Sequence, residues 1–173
     1  MKRRSADLRL LIDATGVLEG DGCVAEKSWR QLDPAAMTRA FAVNAIGPAL
    51  LMKHFLPMLP RAGKCAFATL SARVGSIGDN RLGGWYSYRA SKAALNQIVR
   101  SAAIELRRSR PEAICVALHP GTVAMGLSAR FAKSGLEVQS PEAAAMRILA
   151  VLDSLPYGSS GEFFDQKARP IPW

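Results

Sequence analysis

Acidic residues are scarce in this 173-residue chain: 14 aspartates and glutamates face 23 lysines and arginines, a formal net charge of +9. A basic balance of this size raises the question of nucleic acid. The cations are scattered, however, with Lys2, Arg3 and Arg4 at the start and Arg107, Arg108 and Arg110 at a helix end. Without a basic stripe interleaved with aromatics, nucleic-acid binding is not expected. Histidines number two and cysteines three. Cys23, Cys65 and Cys115 have no metal-type or redox-type spacing, which excludes a zinc site or a dithiol pair. They read as free thiols kept reduced in the cytoplasm. No apolar run approaches the ~18–20 residues of a membrane span. The stretch LRLLI before Asp13 is too short for the apolar region of a signal peptide. No G-x-G-x-x-G is present, and a glycine-rich turn that cradles a pyrophosphate between a first strand and its helix is not expected here.

The remaining composition, 49% apolar and 21% charged, is that of one globular domain over 1–173. Apolar runs at 8–13, 64–70, 113–118 and 161–165 read as strands, each bounded by turn residues. Between them lie helical stretches. Asp33-Pro34 and Ser140-Pro141 each pair a capping side chain with a proline at the first helical position. The first of these helices would run to about 59, kinked or shortened at Pro48 and Pro57. A longer one covers 86–108, and 121–139 reads as an irregular or partly helical, lid-like segment. Strands alternating with helices predict an α/β, doubly wound parallel sheet.

The densest chemistry lies in WYSYRASKAALN, Trp85 to Asn96. Tyr88 and Lys92 are four positions apart, one turn along one helix face. An ammonium beside a phenol favours the phenolate, so Lys92 is expected to lower the pKa of Tyr88 and make it a usable proton donor and acceptor. Before the helix stands LSARVGSIGDN, a strand ending in hydroxyls, and after it VALHPGTV, a strand ending in a Pro-Gly turn. Such loops meet at the carboxyl edge of a parallel sheet, where sites form.

Four landmarks in order, DATG at Asp13 to Gly16, VNAIGP at Val43 to Pro48, LSARVGSI before YSYRASK, and HPGTV at His119 to Val123, make the chain resemble the short-chain dehydrogenase/reductase superfamily. The C-factor-like and sniffer-like carbonyl reductases are the nearest branch. The resemblance implies a Rossmann-like fold, an NAD or NADP cofactor and hydride transfer between a small carbonyl compound and its alcohol. It gives Tyr88 proton transfer, Lys92 the nicotinamide ribose, and Asn44 a bend in its helix with a water linked to the lysine. Ser71 would polarise the carbonyl, although relatives often carry two serines here and Ala72 fills the second place; Ser76 is the alternative. Ala14 and Gly16 would meet the cofactor, with Asp13 supporting the turn. Pro120, Gly121 and Val123 would face the nicotinamide amide; Met125 replaces a threonine of the family.

The resemblance also implies a homodimer or homotetramer built on the two long helices, with Ala93, Ala94, Ala102 and Ala103 allowing close packing. The sequence starts where the family has its fourth strand, so the Rossmann-like fold is expected to be N-terminally truncated. Either the start is misplaced or this is a shortened paralogue. A non-catalytic protein acting through its helix interface, in signalling, is therefore the rival to an oxidoreductase.

Overall fold

In the computed structural model, which describes residues 7–20, 23–124 and 138–173, four strands form one parallel sheet. These are β1 (Leu10–Asp13), β2 (Cys65–Leu70), β3 (Ala113–His119) and, at the far edge, β6 (Phe163–Asp165), in the order β1-β2-β3-β6. Two short strands, β4 (Thr122–Val123) and β5 (Val138–Gln139), pair separately. The 121–139 segment thus begins and ends in strands; its residues 125–137, with Met125, lie outside the described residues.

Strand pairing divides the side chains between two faces. From β2 and β3, Cys65, Phe67, Cys115 and Ala117 point one way, against Met52 and against Leu95, Val99, Ala103 and Leu106 of α3 (Tyr86–Ser109). Ala66, Ala68, Ile114, Val116 and Leu118 point the other way, against Ile148, Val151 and Leu152 of α4 (Pro141–Ser154). Strands apolar on both faces are those of a sheet covered by helices on each side. Ala103 is in this core rather than on an oligomer face: it lies under Gly161, whose Cβ would fall 3.0 Å from its own.

The expected 33–59 helix is in fact four consecutive pieces. α1 (Pro34–Phe41), capped by the Asp33 side chain on Ala36 N, gives way to a π-helical turn, Ala42–Ile46, before α2 (Gly47–Phe55) and a 3-10 turn, Leu56–Met58. Proline explains only part of this. Pro48 sits in the first turn of α2, where its missing N–H costs nothing, while the π turn is centred on the buried Asn44. Taken as one rod, Pro34–Met58 is long and apolar enough to cross a membrane, which corrects the expectation from apolar runs. Arg39 and Lys53 interrupt it, and one face packs against α3.

Candidate active site

All four strands of the sheet run in parallel, so Asp13, Leu70, His119 and Asp165 bring their following loops to one edge. α3 starts at that edge. Gly83, Gly84 and Trp85 take positive φ in succession (62°, 66° and 51°), a tight reversal that two glycines make accessible. The buried Glu26 then accepts hydrogen bonds from Ser87 N and Ser87 Oγ, placing an anion at the positive end of the helix.

One stripe of α3 is polar although buried: Tyr88, Ser91, Lys92 and Asn96. Tyr88 packs its ring with Leu18 and Ala25, beside Ala72, Val74 and Trp85, and meets Trp85 edge to face at 6.4 Å. Burial in that apolar cluster pushes the phenol up to about 12. This reverses the expected effect of Lys92. The ammonium is 6.0 Å from the centre of the Tyr88 ring and donates instead to Leu70 O at 2.8 Å, so desolvation decides the phenol. Lys92 itself, 2% exposed, is brought down to about 8 by burial, with the Asp13 charge opposing the shift.

Asn44 is the most completely bonded of the expected residues. Its Oδ1 accepts from Val17 N at 2.8 Å, and its Nδ2 donates to Val17 O at 2.8 Å and to Ser91 Oγ at 3.0 Å. It thereby ties the turn after β1 to α3. Asp13 holds the same turn from the other side, accepting from Thr15 N, Thr15 Oγ1 and Thr69 Oγ1. Ala14 and Gly16 are left exposed. A Cβ on Gly16 would approach Lys92 Nζ at 3.4 Å and Asn44 Oδ1 at 3.6 Å, so this glycine borders the lysine. Substituting alanine for Asn44 strands the Val17 N–H and carbonyl and leaves the Ser91 hydroxyl with only its bond to Tyr88 O. A loss of about 2–4 kcal/mol is expected. Denaturant melts would check it; a loss below about 0.5 kcal/mol would contradict the clamp.

The two serines separate. Ser71 is buried and donates its hydroxyl to Asn96 Oδ1 at 2.7 Å, while it is Ala72 that packs beside the Tyr88 ring. The Ser76 hydroxyl donates to Pro172 O and accepts from Asp79 N, which makes it a turn serine. Pro120 and Gly121 follow β3, with Gly121 at φ 81°, and Val123 pairs with Gln139. The structure therefore brings Tyr88, Lys92, Asn44 and Gly16 together and turns the Ser71 hydroxyl toward Asn96. Ser91 and Asn96 were missed in the sequence; polar residues at helical spacing from Tyr88 were the available signal.

His119, beside the site, is held neutral. Burial and the Arg73 charge lower it to about 4, against Asp165. The unfolded chain, with an ordinary histidine, binds more protons between about pH 4 and 6.5, so stability should rise with pH across that window, by about 3 kcal/mol in total. Thermal melts of His119→Gln should show a smaller slope there than the native chain; equal slopes would remove His119 as the cause.

Comparison with known proteins agrees with this layout. Residues 2–151 match the family described as enoyl-(acyl carrier protein) reductase. The chain is 38% identical over 144 residues to the C-signal of Myxococcus xanthus, covering 82% of this chain and 81% of that protein. It is 34% identical over 142 residues to the 1-hydroxy-2-glutathionyl-2-methyl-3-butene dehydrogenase of Rhodococcus sp. (strain AD45), spanning 82% of this chain but 61% of that protein. Among solved structures, the NADPH-bound carbonyl reductase from chicken fatty liver superposes with a TM-score of 0.78 at 30% identity, over 98% of this chain and 67% of that one. The carbonyl reductase Sniffer of D. melanogaster shares the fold, with a TM-score of 0.81 at 24% identity, over 98% and 68%. The family match over most of the chain, the C-signal relative and the parallel sheet with Tyr88 and Lys92 at its carboxyl edge show that this chain belongs to the short-chain dehydrogenase/reductase superfamily.

Proposed function

We propose that this chain is an NAD- or NADP-dependent oxidoreductase that interconverts a small carbonyl compound and its alcohol. One observation carries the reading: a tyrosine and a lysine, both buried, share one turn of α3 at the carboxyl edge of a parallel sheet. The residues present suit a nicotinamide dinucleotide. Among the described residues Lys92 has one hydrogen-bond acceptor, Leu70 O, so two of its three ammonium protons are available to a ribose diol. Gly16 is exposed and carries no side chain over Lys92, leaving backbone open to approach there. Ala14, Gly16, Tyr88, Lys92, Pro120, Gly121 and Val123 are the residues that would hold the cofactor.

Bound there, the nicotinamide supplies the hydride. The chain's part is proton transfer and positioning. Tyr88, protonated at neutral pH because burial raises it to about 12, gives its proton to the carbonyl oxygen. Lys92 places a positive charge where negative charge develops on that oxygen and on the tyrosine. Asn44 fixes the turn that Lys92 faces, and Ser71, through Asn96, fixes the loop carrying Ala72 against Tyr88. The proton-donating and charge-stabilising work thus falls on Tyr88 and Lys92, while the Ser71 hydroxyl is held by Asn96. The NADPH-bound carbonyl reductase from chicken fatty liver supports the cofactor class. The exposed Val43, Ile46 and Leu50 on α1 to α2 and Ile104 on α3 are suited to a homodimer or homotetramer contact.

A second reading has one observation in its favour. The 38% identical relative is named for a signal, so a protein acting without turnover is the alternative. Titration of the 173-residue chain with NADPH and NADH, followed by fluorescence and thermal shift, separates the two. Saturable binding with reduction of an aromatic aldehyde is expected; a folded chain that binds neither dinucleotide would leave the signalling reading.

A further inference from the structure

Two buried polar atoms lack a partner among the described residues, His119 Nδ1 and Gln139 Oε1. The second is the more informative. Gln139 is 8% exposed, stands opposite Val123 in the β4–β5 pair, and donates its Nε2 to the carbonyl of Pro120. That bond settles which way the amide faces: a carbonyl needs a donor, so the free end is the oxygen. A Cβ on Gly121 would fall 2.8 Å from the same Nε2 and 3.1 Å from Gln166 Nε2, so the Gln139 amide lies directly against the turn. Leaving a buried acceptor without a donor is costly, and such an atom calls for a specific explanation. A ligand group carrying an N–H at this turn supplies one.

The proposed cofactor has such a group. Its nicotinamide end bears a primary carboxamide, two N–H donors and one acceptor, and the turn from Pro120 to Val123 is where the proposed function places it. The superfamily's threonine hydroxyl is replaced by Met125 in this sequence, leaving room for another polar side chain in that task. We infer that Gln139 is the specificity residue for the nicotinamide carboxamide, its Oε1 accepting one of the carboxamide N–H bonds. The inference rests on the nicotinamide-cofactor reading and adds to it a residue outside the motifs of the sequence.

The test compares binding of NADP⁺ with that of its 3-acetylpyridine analogue, which keeps the carbonyl acceptor and replaces the amino group with methyl. Dissociation constants are measured calorimetrically on the 173-residue chain. NADP⁺ is expected to bind about fivefold to tenfold more tightly than the analogue, the effect of one hydrogen bond. In Gln139→Met that preference should fall below about twofold. Equal binding of the two by the native chain overturns the inference without any variant. A preference that survives in folded Gln139→Met also overturns it, while leaving the cofactor reading intact. Failure of the native chain to bind any of NADP⁺, NAD⁺ and the analogue overturns that reading and the inference with it.

Discussion

Tyr88→Phe is expected to cut carbonyl reduction by about 10²–10⁴-fold. The substitution removes one hydroxyl and nothing else of consequence. The ring keeps its packing with Leu18 and Ala25 and its edge-to-face contact with Trp85. The nearest strand-end serine is already engaged: the Ser71 hydroxyl is bonded to Asn96, and Ala72 packs on the apolar cluster that holds the ring. With the phenol held up to about 12, reduction should run at neutral pH, where the donor is protonated. Alcohol oxidation, which needs the phenolate, should accelerate as pH climbs above neutrality until Lys92 loses its proton. Steady-state rates with NADPH and an aromatic aldehyde would read the loss. A variant retaining more than a tenth of native turnover would remove Tyr88 as the proton donor.

How far the sequence foretold this site varies with the range of the interaction. The strands were legible because Cys65–Leu70 and Ala113–His119 are apolar on both faces, as a sheet covered on both sides demands. α3 was legible from its period, with Leu95, Val99 and Ala103 falling on the core side. The π turn at Ala42–Ile46 was expected only as a bend at Asn44, and from the resemblance rather than from local pattern, because Asn44 reaches Val17 and Ser91, 27 and 47 positions away. The orientation of Ser71 was equally hidden: its partner Asn96 is 25 positions on, and only the packed fold shows which way the hydroxyl turns. The sign of the Tyr88 shift failed for a related reason. Helical spacing puts an ammonium near a phenol, but the apolar wall that dominates the phenol's energy comes from Leu18, Ala25 and Val74 on other segments. Local chemistry identified the residues; burial set their properties.

Lys92→Met should make the protein more stable and close to inactive. Lys92 is 2% exposed and donates to Leu70 O, and among the described residues no carboxylate lies within ion-pair distance of it. Its fall from 10.5 to about 8 means that holding the ammonium in the fold costs about 3 kcal/mol at neutral pH. Methionine fills much the same volume without the charge and gives up one hydrogen bond, about 1 kcal/mol. The balance is a gain of about 1–2 kcal/mol, or roughly 2–8 °C in melting temperature for a domain of this size. The pH dependence identifies the cause. Between about pH 8 and 10.5 the folded native chain binds fewer protons at Lys92 than the unfolded chain does, so native stability rises with pH through that window. The variant lacks this rise, and its advantage should shrink as pH approaches 10. Turnover should fall by about 10²-fold or more, because the positive charge opposite the developing alkoxide is gone. In the native chain, reduction should decline above about pH 8 as the same ammonium deprotonates. A variant that melts below the native chain at pH 7 would show that the ammonium contributes to the fold, and the buried charge would then have to be explained by packing alone. A variant that melts higher and still turns over would separate the lysine from the chemistry. The expected combination, more stable and inactive, marks Lys92 as a residue whose burial costs stability and whose charge serves the reaction.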